Sequence, residues 1–272
     1  MIERETFWDR LDPKYQLILC DVWGVIHNGR QLYPGAAERL LEWRSDGRCV
    51  VLVTNAPRPA EAVEAQLARI GLTPDAWDAI ASSGEAGIDA LAQLGRPVAF
   101  VGTSSDRALL EGRAIPISDN DDFRDVVCSG FEEGRLDVQD YRAELEAMVQ
   151  RGVTFHCLNP DRVVVYGGTM LPCAGAIADA YEAMGGHVIW YGKPFRTIYD
   201  YALAHGRHPP ADQVLAVGDG LQTDMLGAAW MGFDAVFVTA GIHAGEPFPE
   251  DFAASHGLGD WRPIAIIDGL GT

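Results

Sequence analysis

The chain has 272 residues, 48% of them apolar and 22% charged, and its 21 basic against 39 acidic side chains give a formal charge of −18. That length admits one large domain or a domain carrying an inserted second one, and the acidity excludes nucleic acid and anionic membrane as natural partners, because both reward basic surfaces. No apolar run reaches the roughly 20 residues that span a bilayer, and the charged start Glu3-Arg4-Glu5 is unlike a signal peptide, so a soluble cytoplasmic protein is expected.

In chain order, the first strong element is Leu17-Ile18-Leu19-Cys20, a wholly apolar strand that ends on Asp21. Ala36, Ala37, Leu40 and Leu41 then repeat at helical spacing before Gly47, and Cys49 to Asn55 forms a second buried strand ending on Thr54-Asn55. Val63, Leu67 and Ile70 mark the next helix, stopped by Gly71. The middle of the chain has its own alternation: strands at Val98 to Val101, Val126 to Ser129 and Val153 to Cys157, and amphipathic helices at Tyr141 to Arg151 and Cys173 to Met184. Val214 to Asp219, Ala235 to Thr239 and Ile264 to Ile267 then resume the first kind of sheet. Strand and helix alternating in this way predict an α/β fold with a doubly wound, Rossmann-like parallel-sheet core and an inserted smaller α/β cap domain. The division expected is residues 1–80 and 188–272 for the core and 81–187 for the insert. The five cysteines, Cys20, Cys49, Cys128, Cys157 and Cys173, are an odd set without Cys-x-x-Cys spacing and read as reduced thiols, several of them in apolar runs.

Polar groups collect where these strands end. Asp21 is a nucleophile candidate because open α/β sheets place their ligands at the carboxyl edge. Thr54 and Asn55 offer a hydroxyl and backbone amides at a strand-to-helix junction, which suits an anion; either also serves as an ordinary helix cap. Gly192-Lys193-Pro194 holds a lysine between a glycine and a helix-starting proline, able to balance phosphoryl charge; alone it reads equally as a surface lysine. Asp219 and Asp224, on the loop Gly218 to Asp224 before the apolar positions Leu226, Ala229, Trp230 and Phe233, are hard oxygen ligands of the kind Mg²⁺ takes.

Taken in order, Asp21-x-x-Gly24-Val25, Thr54-Asn55, Gly192-Lys193-Pro194 and Gly218-Asp219-x-x-x-Thr223-Asp224 resemble the four motifs of the haloacid dehalogenase-like hydrolases. The insert between the second and third motifs, with Leu158-Asn159-Pro160-Asp161, is similar to the class IIA cap of NagD-type phosphatases. The resemblance implies a phosphatase of small phosphorylated metabolites in which Asp21 forms an aspartyl-phosphate. It also implies Mg²⁺ held by Asp21, the carbonyl of Trp23, Asp219 and Asp224, with Thr54, Asn55 and Lys193 on the phosphoryl oxygens. Asn159 to Arg162 and Gly167 to Pro172 would border the substrate, and an exposed cap face permits a homodimer.

One position departs from the pattern. Phosphatases of this family usually carry a second aspartate, the acid and base of the reaction, where this chain has Trp23, and an indole does not titrate usefully. His27 is the nearest replacement in sequence, in the turn-rich segment Gly24 to Gly29, and the other histidines, His156 and His243 among them, show no metal-ligand spacing. Slow phosphatase activity is therefore one expectation, and a catalytically lapsed sensor that keeps the metal and phosphate site is the alternative. Other aspartate-nucleophile chemistry, on carbon–halogen or carbon–phosphorus bonds, is a third.

Overall fold

The structure, a computed structural model, describes residues 7–166, 169–240 and 247–272. Glu3-Arg4-Glu5, Gly167, Gly168 and His243 lie outside the described residues. The chain divides into two compact units, one of residues 1–54, 64–81 and 199–272, the other of residues 55–63 and 82–198.

The first unit is built on a six-stranded sheet. Its strands are β1 (Leu17–Asp21), β2 (Cys49–Thr54), β3 (Ala79–Ser82), β10 (Val214–Gly218), β11 (Asp234–Val238) and β12 (Ala265–Ile267), in the spatial order β12-β11-β10-β1-β2-β3. β1 runs parallel to both β2 and β10, and the ladder continues parallel through β11 and β12. Every residue of β1 and β10 is buried, which explains why these runs are apolar throughout instead of alternating. The order reverses between β1 and β10, and the carboxyl ends of two such strands open a crevice for a ligand.

The second unit carries a parallel four-stranded sheet, β4-β5-β6-β9, from β4 (Ala99–Val101), β5 (Asp125–Cys128), β6 (Thr154–Cys157) and β9 (His187–Trp190). Phe155, Tyr141, Leu145, Ile177 and Tyr181 pack its core. An antiparallel hairpin, β7 (Val163–Tyr166) and β8 (Thr169–Pro172), is separate from this sheet. The expected division at residues 187 and 188 falls within β9, and the unit runs on to residue 198. His187-Val188-Ile189-Trp190 is too short to show a period by itself; it becomes a strand by pairing with β6. Residues 55–63 also belong to this unit. Gly84 N–H donates to the carbonyl of Ala56 (3.0 Å), Ser82 Oγ to that of Arg58 (2.6 Å), Arg58 Nε to Asp106 (3.1 Å) and Ala60 N–H to Glu85 (2.8 Å).

All five cysteines are free thiols. No helix among the described residues is long and apolar enough to cross a membrane.

Candidate active site

The candidate site in the first unit grows from the register of three strands. Cys20 pairs with Val217 and Asp21 with Val53, so Asp21, Thr54 and the Gly218-Asp219 step leave the sheet side by side at its carboxyl edge. Asp21, Asp219 and Asp224 each offer an oxygen within 4.8 Å of the others, and all three are buried, at 6%, 4% and 5% exposure. Ligand oxygens around Mg²⁺ at about 2.1 Å lie roughly 3 to 4.2 Å from one another, so small carboxylate rotations bring this set onto one ion. The donor set fits a hard divalent cation: three buried like charges in contact range are otherwise unfavourable.

Local backbone shapes this cluster. Gly24 has φ +89°, and a Cβ there would lie 2.1 Å from Asp219 Oδ2, so the carboxylate rests directly on the glycine. A Cβ on Gly218 would lie 2.2 Å from Asp224 Cγ. Leu221–Met225 forms a π-turn, with Met225 N–H donating to the carbonyl of Gly220 (3.0 Å), and it folds Asp224 back so that its Oδ2 accepts from Gly220 N–H (3.1 Å) and Thr223 Oγ1 (3.3 Å). Of the apolar positions expected after this loop, Leu226 and Phe233 are buried and Ala229 is half-buried, while Trp230 stands 53% exposed.

Trp23 and His27 belong to the tight turn after β1, in which Ile26 N–H donates to Val22 (2.9 Å) and Gly24 N–H to His27 (2.9 Å). The indole of Trp23 covers Gly29, where a Cβ would sit 2.4 Å from the ring, and it meets the His27 ring edge-on at 5.2 Å. His27 Nδ1 accepts the Gly29 N–H at 2.9 Å, which puts the ring hydrogen on Nε2. Burial pushes its pKa down to about 4, so at neutral pH the imidazole is uncharged. The acid role expected of His27 is not supported by this geometry: the residue holds the turn. Tyr33, to which no sequence motif points, carries a phenol raised by burial and by the charge of Asp219.

Within the second unit the structure brings Asn55 and Lys193 together. Asn55 Oδ1 accepts the Lys193 N–H (2.7 Å), and Asn55 Nδ2 donates to the Lys193 carbonyl (3.2 Å) and to Asp161 Oδ1 (2.8 Å). No donor hydrogen remains on the Asn55 side chain, so the phosphoryl contact expected of Asn55 would have to come from its backbone amide. Lys193 is 3% exposed, a buried cation and not a surface lysine. Burial raises the Asp161 carboxyl above its usual range, while the Asn55 hydrogen bond and the Lys193 charge pull it back. The signal for Asp161 lay in its Asn-Pro-Asp turn, which has no chemistry of its own until folding sets it beside Asn55. His156 is buried among Asp125 (3.0 Å) and Tyr191 (2.8 Å) and ties β5 to β6 and to the residue just past β9.

Comparison with known proteins agrees with this architecture. Residues 18–115 match the haloacid dehalogenase-like hydrolase model and residues 190–260 a HAD-hydrolase-like one. The chain is 30% identical to ribonucleotide monophosphatase NagD of Escherichia coli K12, over 83% of this chain and 88% of that protein. It is 29% identical to D-glycerol 3-phosphate phosphatase of Mycobacterium tuberculosis over 85% of its own length, but it spans 65% of that relative. The crystal structure of a haloacid dehalogenase-like hydrolase from Brucella suis 1330 superposes with a TM-score of 0.82 at 33% identity, covering 96% of this chain and 97% of that one. The chain therefore belongs to the haloacid dehalogenase-like hydrolase family, in the class IIA branch that includes the NagD-type phosphatases.

Proposed function

We propose that this protein is a Mg²⁺-dependent phosphatase of small phosphorylated metabolites that works through an aspartyl-phosphate on Asp21. The observation that carries the reading is the trio of buried carboxylates, Asp21, Asp219 and Asp224, at the point where the strand order reverses. The phosphatase names of the mycobacterial and Escherichia coli relatives support the substrate class.

Asp21 attacks phosphorus, the bond to the leaving oxygen breaks, and water then cleaves the acyl phosphate to return the carboxylate. Asp219, Asp224 and the main-chain carbonyl of Trp23 would hold Mg²⁺ beside Asp21, and the bound ion would polarise the phosphoryl oxygens and offset their charge. Thr54 and Lys193 are assigned to those oxygens, Lys193 supplying positive charge, and Asn55 to keeping the Lys193 main chain in place. The unit of residues 55–63 and 82–198 is assigned as the cap that excludes water, and the cytoplasm as the compartment.

Neither Trp23 nor His27 delivers a proton in this scheme. Alkyl phosphates, whose leaving oxygen needs one, turn over slowly, and activated aryl phosphates turn over faster. The test is magnesium-dependent phosphate release from 4-nitrophenyl phosphate by the wild type and by Asp21→Asn. Release is expected only from the wild type, and equal release by both proteins would remove the covalent mechanism.

A further inference from the structure

The turn Leu158-Asn159-Pro160-Asp161 is held from several directions at once. Asp161 N–H donates to Asn159 Oδ1 (3.1 Å), and the Asp161 carbonyl accepts from Gly175 N–H (3.1 Å) at the start of the helix Ala174–Ala183. Two glycines make room for it: a Cβ on Gly175 would lie 2.3 Å from the Pro160 carbonyl oxygen, and one on Gly192 would lie 2.4 Å from Asn55 Oδ1 and 2.6 Å from the Pro160 ring. The Asp161 carboxylate thus has a fixed place, and from it Oδ1 accepts one hydrogen of Asn55 Nδ2.

An ionised carboxylate accepts and never donates. Turned over, the Asn55 amide would set its oxygen against both this carboxylate and the Lys193 carbonyl. In the observed orientation, each polar atom of the amide has a complementary partner, two of them the main-chain N–H and C=O of Lys193. We propose that Asp161 is a positioning residue: by fixing the amide of Asn55 it holds the main chain of Lys193 in the conformation the phosphoryl contact uses. The functional half of this statement rests on the role given to Lys193 above; the mechanical half does not.

Amide hydrogen exchange of Lys193, followed by NMR in the full chain, reads the mechanical half directly. Asp161→Ala is expected to speed that exchange about fivefold, the worth of one ordinary hydrogen bond. Asp161→Asn keeps an oxygen acceptor in the same place and is expected to stay within about twofold of the wild type. Asn55→Ala speeds exchange too, and adding Asp161→Ala to it brings no further increase, because both act through one contact. Unchanged exchange in Asp161→Ala, additive effects in the double variant, or an Asp161→Asn variant as fast as Asp161→Ala each overturn the proposal. Should Asp161→Ala not fold, Asp161→Ser, too short to reach Asn55, replaces it in the comparison.

The functional half is read from inhibition by orthovanadate, whose inhibition constant does not depend on the fraction of folded enzyme. It is expected to rise about tenfold in Asp161→Ala, as for a lost hydrogen bond to a charged group, and to return in Asp161→Asn. Faster Lys193 exchange with an unchanged inhibition constant refutes the positioning role. A wild type that releases no phosphate from any ester tested with Mg²⁺ refutes the proposed function instead, and the exchange result then decides the Asp161 contact alone.

Discussion

Replacing Asp219 with asparagine separates a metal centre from a merely acidic cluster, because the two make opposite predictions for stability. Each of the three carboxylates has an oxygen within 4.8 Å of the others. At that separation two unit charges repel by about 0.9 kcal/mol in water and about 3.5 kcal/mol at an effective dielectric near 20. Asp219 takes part in two such pairs, so its neutralisation removes roughly 2 to 7 kcal/mol of repulsion from the metal-free protein. Other interactions of the Asp219 carboxylate offset part of that gain, and the lower end, about 2 kcal/mol, is the expectation. At roughly 2–4 °C per kcal/mol for a chain of this size, the metal-free variant melts about 4–8 °C above the wild type. Magnesium reverses the order: the wild type gains stability with ion concentration through mass action, and the variant, lacking a ligand, gains little. Thermal melts of both proteins in chelator and in millimolar MgCl₂ make the comparison. A variant that melts below the wild type in chelator, or that keeps the full magnesium shift, refutes the reasoning.

Trp23→Asp supplies a titratable carboxyl where the indole now covers Gly29 and is expected to raise turnover of alkyl phosphates by about 10²-fold or more, with a smaller effect on 4-nitrophenyl phosphate; steady-state kinetics on both esters check this. Gly24→Ala would drive a Cβ into Asp219 at a positive φ, so a lower melting temperature and a weaker magnesium shift are expected together in the same thermal assay. For His27 the folded pKa of about 4 lies below the ordinary 6.5, so between these values the unfolded chain binds a proton that the native state refuses. Stability therefore falls as pH drops from about 6.5 toward 4, by up to about 3 kcal/mol from this residue. His27→Asn keeps an acceptor for Gly29 N–H without titrating, and urea unfolding across that range is expected to show a flatter profile; an unchanged profile would remove the buried-imidazole assignment.

Much of the fold was legible because burial on both faces leaves a plain mark. The apolar runs at Leu17, Val50 and Val214 are strands, and each hands over to a polar residue where the sheet ends, so Asp21, Thr54 and Asp219 were identifiable as edge groups before any coordinates. The glycines of the site were legible in part: Gly24 and Gly218 stood in the motifs, but that they seat the Asp219 and Asp224 carboxylates is a contact between segments.

What the sequence by itself determined was eight of the twelve strands among the described residues, their alternation with helices and the acids at their ends, because periodicity within a few residues encodes them; the short strands β3, β7, β8 and β9 carry no such mark. Only the tertiary structure decided that residues 55–63 pack with the second unit and that β9 completes its sheet. It likewise decided that Trp230 faces outward after a π-turn, that His27 is buried and neutral, and that Asn55 serves Lys193 and Asp161. The last partnership joins residues 106 and 138 positions apart, and no local period encodes it. Whether an amide binds a ligand or braces a loop depends on which donors and acceptors close packing leaves beside it, and that is settled only when the whole chain has condensed.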